Sequence, residues 1–281
     1  MNKNNKATFT VKKILDEGTA SPFSARLMLQ MFEFRDAVFN IDKEKSDFDK
    51  AYKPIIENFQ ELNSSIKKLR LLRENHIRDL HIGIVIKNRS DNQIDIEKTI
   101  DSEYKSGVKD VFIKGEMTIS GLKKVGEFFG VNINFFFGKE KKFNDGSQEL
   151  LQTHKNNAKF IIDKIKLARE TWYSDFNEYR NAFEHDYVNF QEVEYKRSVN
   201  GNFEAIFPKI SDGSDLLDVL EKIRDRILEL VEDSLMFLFS TKLKPFQVIR
   251  VIPENERNPN IVKKYAIYVQ VENQFVRYGN T

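Results

Sequence analysis

The chain has 281 residues, 40% of them hydrophobic and 24 of them Phe, with 31% charged, which is enough apolar material for a sizeable core beneath an ordinary surface. Its 45 basic and 43 acidic residues leave a net charge of +2, so a nucleic-acid partner does not follow from the overall field and needs a local basic patch. The lack of cysteine excludes disulfides and thiolate metal sites; the first twenty residues lack a secretory apolar stretch and no run reaches membrane length, so a cytoplasmic protein with no membrane partner is expected.

Ser21-Pro22 reads as a helix start, Ser as N-cap and Pro at the first helical position, followed by an apolar series through Leu27, Met31, Phe32, Val38 and Phe39. A second helical pattern runs from about Asp47 to Arg73 through Tyr52, Ile55, Phe59, Leu62, Ile66 and Leu69, with Asp42 to Ser46 as a charged connection between an antiparallel pair. His81 to Ile86 reads as a short buried strand or a broken helix, and 88–110 as a polar stretch without a sustained period. Thr118 to Gly130 predicts a short helix stopped by Gly130, followed by the apolar cluster Val131 to Phe137 and a turn-rich link to Gly146.

The third major helix is expected to be capped by Ser147 and to bury Ala158, Ile161, Ile165, Ala168, Trp172, Phe176 and Tyr179, spaced by three and four. Residues 192–207 predict a β-hairpin turning at Asn200-Gly201. A fourth helix begins near Ser214 with Leu216, Leu220, Ile223, Ile227 and Leu230 on one stripe, and strands follow at Phe246 to Ile252 and Tyr265 to Val276. The fold class is therefore mainly α (α+β), a helical bundle with a β-hairpin insertion and C-terminal strands. Four segments are expected: a helical pair over 1–74 that can join the bundle, an unassigned region over 75–145, a helical core over 146–245, and a β segment over 246–281.

Directly after the third helix stands Arg180-Asn181-Ala182-Phe183-Glu184-His185-Asp186-Tyr187. Guanidinium grips two phosphate oxygens in a planar fork, and imidazole moves protons near neutral pH. Asn181 is suited to positioning a hydroxyl or phosphate, and Tyr187 to donating a hydrogen bond or being modified. On a regular helix, residues five apart differ by about 140° in direction, so Arg180 and His185 do not share a face, whereas Asn181 and His185 do. Either a helix begins within the motif or a second chain completes the site. In the alternative reading, Arg180 and Glu184 are an ordinary i,i+4 ion pair, His185 packs at a helix end, and Phe183 and Tyr187 form a core stripe.

Arg-x4-His between helices, with Asn after the Arg, resembles the HEPN family, and Tyr187 extends the likeness to the Arg-x4-His-x-Tyr form of HEPN toxins paired with nucleotidyltransferase antitoxins. The likeness covers roughly 146–245. It implies an HEPN-like bundle and a metal-independent endoribonuclease in antiviral defence or acting as a toxin, with RNA as substrate and no cofactor or metal. It further implies a homodimer across the motif and an antitoxin partner. Arg180, His185 and Asn181 are the catalytic candidates; Tyr187, Glu184 and Asp186 are auxiliary or modifiable. The rival is a non-catalytic HEPN module that binds nucleotide, RNA or a protein.

Two weaker signals remain. His76 and His81 are five apart, where zinc helices place histidines four apart. Residues 113–131 resemble the end of a phage-repressor-type helix-turn-helix domain, which suggests a DNA-binding regulator. Basic runs at Lys67 to Arg73, at Lys139 to Lys142 and along the third helix read as solvated helix faces.

Overall fold

The computed structural model describes residues 23, 25–83, 86–89, 94–96, 99–185, 191–197, 203–210, 212–257, 263–272 and 274–278. Among them six α-helices form the body: α1 (Gln30–Val38), α2 (Asp42–His81), α3 (Asp101–Phe129), α4 (Glu140–Ala168), α5 (Ser174–Glu184) and α6 (Leu216–Ser240). Seven short strands make three antiparallel sheets: β1 (Ile86–Arg89) with β2 (Ile94–Ile96), β3 (Glu194–Arg197) with β4 (Phe203–Ile206), and β5 (Gln247–Val251) with β6 (Tyr265–Val271) and β7 (Gln274–Arg277). The fold is mainly helical with small β additions, as the sequence predicts.

A π-helical turn, Ala25–Leu29, leads into α1; the Ser21-Pro22 start lies outside the described residues. Arg35 of α1 pairs with Asp49 at 2.7 Å, and the Tyr52 hydroxyl donates to the Leu27 carbonyl. Helix α2 is longer than its periodicity suggests. Asp42 to Ser46 form its first turn rather than a connection, because Asp42 and Glu44 complement the positive end of the helix dipole. It continues to His81, so that residue ends a helix, and the described strand that follows is Ile86–Arg89.

The largest correction concerns 88–130. That stretch contains a hairpin and a single 29-residue helix, not a polar region followed by a short helix. Tyr104, Val108, Val111, Phe112, Ile119, Leu122, Val125 and Phe129 give α3 its buried stripe, but glycines interrupt the apolar series. These glycines permit contact rather than flexibility. A Cβ on Gly121 would lie 2.6 Å from Ile55 Cγ1, and one on Gly115 would lie 2.9 Å from Ile227 Cδ1. Gly130, with φ of 72°, ends the helix as predicted, and the Val131 N–H donates to the Gly126 carbonyl at 2.9 Å. A continuous helix through 113–129 has no turn where a helix-turn-helix needs one, so the repressor likeness is incorrect.

Helix α4 starts at Glu140, within the expected link, and Ser147 sits buried inside it instead of capping it. The helix breaks at Lys155 (φ 44°, ψ −122°) and passes through a π-helical turn, Arg169–Tyr173, into α5. Arg169 anchors that turn: its Nη1 donates to the carbonyls of Phe136 at 3.2 Å and Gly138 at 2.7 Å, and its guanidinium lies 4.6 Å from the Phe143 ring centre. The predicted stripe from Ala158 to Phe176 is buried throughout, with Tyr179 half-buried.

Helix α6 is the axis of the bundle. Asp215 caps it, its Oδ1 accepting from the Leu217 N–H at 2.9 Å, and every residue from Leu230 to Phe239 is buried. Phe34, Phe39, Phe48, Phe128, Phe129 and Phe239 interlock beside it, ring centres about 5–6 Å apart, each burial contributing roughly 1.5–3 kcal/mol. The expected hairpin forms with Arg197 opposite Phe203, its turn lying outside the described residues. The second C-terminal strand proves to be the hairpin β6–β7. No helix among the described residues is long and apolar enough to cross a membrane.

Burial pushes the Tyr104 phenol up to about 12, and Tyr195, also desolvated, to about 12. In the unfolded chain these phenols ionise near 10, so their neutral forms favour the fold in full below pH 10. That contribution is lost as pH rises from about 10 to 12, on the order of 1 kcal/mol per pH unit for the fully buried Tyr104 and less for the half-buried Tyr195, which solvent screens. Thermal melts should therefore fall over that window, and Tyr104→Phe should flatten the fall; parallel curves for wild type and variant would contradict the assignment.

Candidate functional site

The motif lies at the C-terminal end of α5, whose apolar side is fixed against α3. Phe183 stacks on Phe112 with ring centres 5.4 Å apart and an interplanar angle of 19°, and Phe176 lies 5.6 Å from the same ring. Gly115 lets this seam close, since Phe176 Cε2 would be 3.1 Å from a Cβ there. The next residue, Glu116, points to the rim, where Arg180 meets it.

Arg180 Nε donates to Glu116 Oε2 at 2.6 Å, and Nη2 pairs with the same oxygen. Nη1 donates to Asn181 Oδ1 at 2.6 Å and pairs with Glu184 Oε2 at 2.7 Å. The hydrogen bond to Glu116 is the main influence raising the guanidinium pKa further, against the opposing effect of partial burial. The arrangement places a planar cation at the rim of the core, 23% exposed, with a carboxylate on either side. The i,i+4 contact with Glu184 is the ordinary surface pair that the sequence also allows, worth a few tenths of a kcal/mol.

Asn181 and His185 are exposed one turn apart. The His185 N–H donates to the Asn181 carbonyl at 3.1 Å, and His185 is the C-cap residue. The helix therefore ends in the motif and does not begin there, which corrects one of the two ways of bringing Arg180 and His185 together. Asp186 and Tyr187 lie outside the described residues. The Asn181 side chain bonds Arg180, while its carbonyl makes the ordinary helical hydrogen bond to the His185 backbone N–H.

No family model, curated protein or solved structure matches the chain. The HEPN likeness accordingly rests on the motif and its helical setting.

Three residues of the other sequence candidates have structural partners. His76 is buried, and its Nε2 lies 2.7 Å from the Tyr195 hydroxyl, which docks the β3–β4 hairpin onto α2. Arg73 pairs with Asp215 at 2.7 Å, and Arg70 pairs with Glu221. Among the described residues no group of three or more histidines and carboxylates is arranged to hold a metal ion.

Two features were missed in the sequence. Glu116 gave no signal, because its relation to Arg180 depends on packing across 64 positions. The pair Glu232-Asp233 did give one: two acids inside the apolar run from Leu230 to Phe239 mark a buried polar cluster. Glu232 accepts from Arg26 Nε at 2.9 Å and Gln30 Nε2 at 2.8 Å, while Asp233 accepts from Lys264 Nζ and the Tyr265 hydroxyl, each at 2.7 Å.

Proposed function

We propose that the chain is a metal-independent HEPN-type endoribonuclease, serving antiviral defence or acting as a toxin. The observation that supports this reading is that Arg180, bonded to the Asn181 amide, and His185 stand on the last turns of one helix with Asn181 and His185 exposed. His185 moves the proton, Arg180 clamps the phosphate and Asn181 positions it. The 2′-hydroxyl loses its proton and attacks phosphorus. The bond from phosphorus to the 5′-oxygen breaks, and that oxygen takes up a proton, leaving a 2′,3′-cyclic phosphate and a 5′-hydroxyl.

Glu116 fixes the guanidinium plane, and Glu184, half exposed, is the carboxylate that a phosphate displaces. One imidazole starts each turnover in a single protonation state, so base and acid duties need a second group. A second copy of the chain, facing the first across the motif, supplies it and resolves the angular separation of Arg180 and His185. An antitoxin partner that modifies Tyr187 belongs to the same reading.

The test is cleavage of single-stranded RNA in EDTA. Wild type should cleave; cleavage that requires a divalent metal would reject the mechanism. A second reading, a non-catalytic module that binds nucleotide, RNA or a partner protein, is favoured by the two carboxylates that offset Arg180. Binding without cleavage across varied RNAs would select it.

A further inference from the structure

The sheet β5–β6–β7 presents one side to the bundle, through Tyr265, Ile267 and Ile249, and the other outward. By register this second side carries Val248, Arg250, Ala266, Tyr268, Gln270, Phe275 and Arg277; Ala266 is buried, and the side is exposed at Arg250, Gln270 and Phe275. The Arg250 guanidinium lies 4.2 Å from the Phe275 ring centre and 5.7 Å from that of Tyr268. Arg250 and Phe275 are exposed, and the paired strand residues of this side include no carboxylate.

The charge distribution points the same way. From Thr241 to Thr281 the chain has seven basic residues and three acidic ones, a net charge of +4, but Lys263 and Lys264 are paired with Glu33 and Asp233 of the bundle, so the cations of this side are Arg250 and Arg277. The whole chain is only +2, so everything before Thr241 is net acidic. Two arginines on one side of the sheet, one of them against two aromatic rings, have the makings of a surface for unpaired nucleotides. Bases stack on ring and guanidinium planes, and cations follow the phosphates.

We propose that the outward side of the β5–β6–β7 sheet binds single-stranded RNA, with Arg250, Tyr268 and Phe275 as the stacking platform and Arg277 as a phosphate contact. RNA as the nucleic acid rests on the reading of the Arg180 motif, whereas the two arginines and the aromatic platform stand on the sheet alone. Binding should weaken as salt rises, because counterions are released from the strand.

The experiment measures fluorescence anisotropy of a labelled single-stranded RNA 12-mer with full-length His185→Ala protein at low and moderate salt. A blunt RNA duplex and the added change Arg250→Ala/Phe275→Ala serve as comparisons. Loss of both platform residues should weaken single-strand binding by at least about tenfold, with the thermal melt unchanged, and the duplex should bind more weakly than the single strand. A second variant, Arg250→Lys, keeps the charge but not the plane and should fall between. Unchanged affinity in both variants, equal binding of the duplex, or a lost dimer in place of lost RNA binding in sedimentation would overturn the proposal. Intact binding by wild type that never cleaves would reject the nuclease reading and leave this one standing.

Discussion

Replacing Glu232 with Ala is expected to lower the unfolding free energy by about 3–5 kcal/mol, a large share of the roughly 5–15 kcal/mol typical of a folded protein. Glu232 is fully buried and Arg26 largely so, its side chain 16% exposed. Burial pulls the Arg26 pKa down, but the hydrogen bond and charge of Glu232 outweigh that and raise it. Removing the carboxylate leaves a cation and the Gln30 amide without their acceptor in a place water reaches poorly. The loss also spreads: Gln30 Oε1 accepts from the Tyr265 N–H at 2.7 Å, so the cluster joins the turn before α1, helix α6 and the C-terminal sheet. Glu232→Gln keeps an acceptor and should cost less than Glu232→Ala. Urea denaturation gives the answer, and a loss below about 1 kcal/mol for Glu232→Ala would mean the pair is effectively solvated.

His185→Ala is expected to reduce RNA cleavage by about 10²–10⁴-fold, the usual contribution of a positioned proton-transfer group. Stability should change by no more than about 0.5 kcal/mol, because the side chain is exposed at the end of α5. Arg180→Ala should reduce cleavage by about 10²–10³-fold as the phosphate clamp is lost. Its effect on stability should be about 1 kcal/mol or less, since Glu116 and Glu184 can turn to solvent. Single-turnover kinetics and thermal melts on the same preparations separate the two effects. Loss of activity in step with loss of folded protein would show that the motif only supports structure.

The elements legible in the sequence are those in which one side of a helix is apolar and uninterrupted. The stripe from Ala158 to Phe176 and the one from Leu216 to Leu230 fall where the spacing puts them. The stripe of α3 was hidden because Gly107, Gly115, Gly121 and Gly126 look like breaks when read along the chain, whereas in space they are contacts with Leu69, Ile227, Ile55 and Ile133. The start of α4 was hidden because lysine and glutamate suit an exposed helical turn as well as a loop. At the site, the i,i+4 pairing of Arg180 with Glu184 and the shared side of Asn181 and His185 follow from helical geometry alone. The end of the helix inside the motif, and the carboxylate contributed by α3, depend on tertiary packing that no local pattern records.

The chemistry of the product ends tests the ribonuclease proposal most directly. An RNA of defined sequence, incubated with wild-type protein in EDTA, should give fragments ending in 2′,3′-cyclic phosphate and beginning with 5′-hydroxyl by mass spectrometry, and His185→Ala should nearly abolish both. Fragments with 3′-hydroxyl and 5′-phosphate ends, or cyclic ends formed equally fast by His185→Ala, would contradict it.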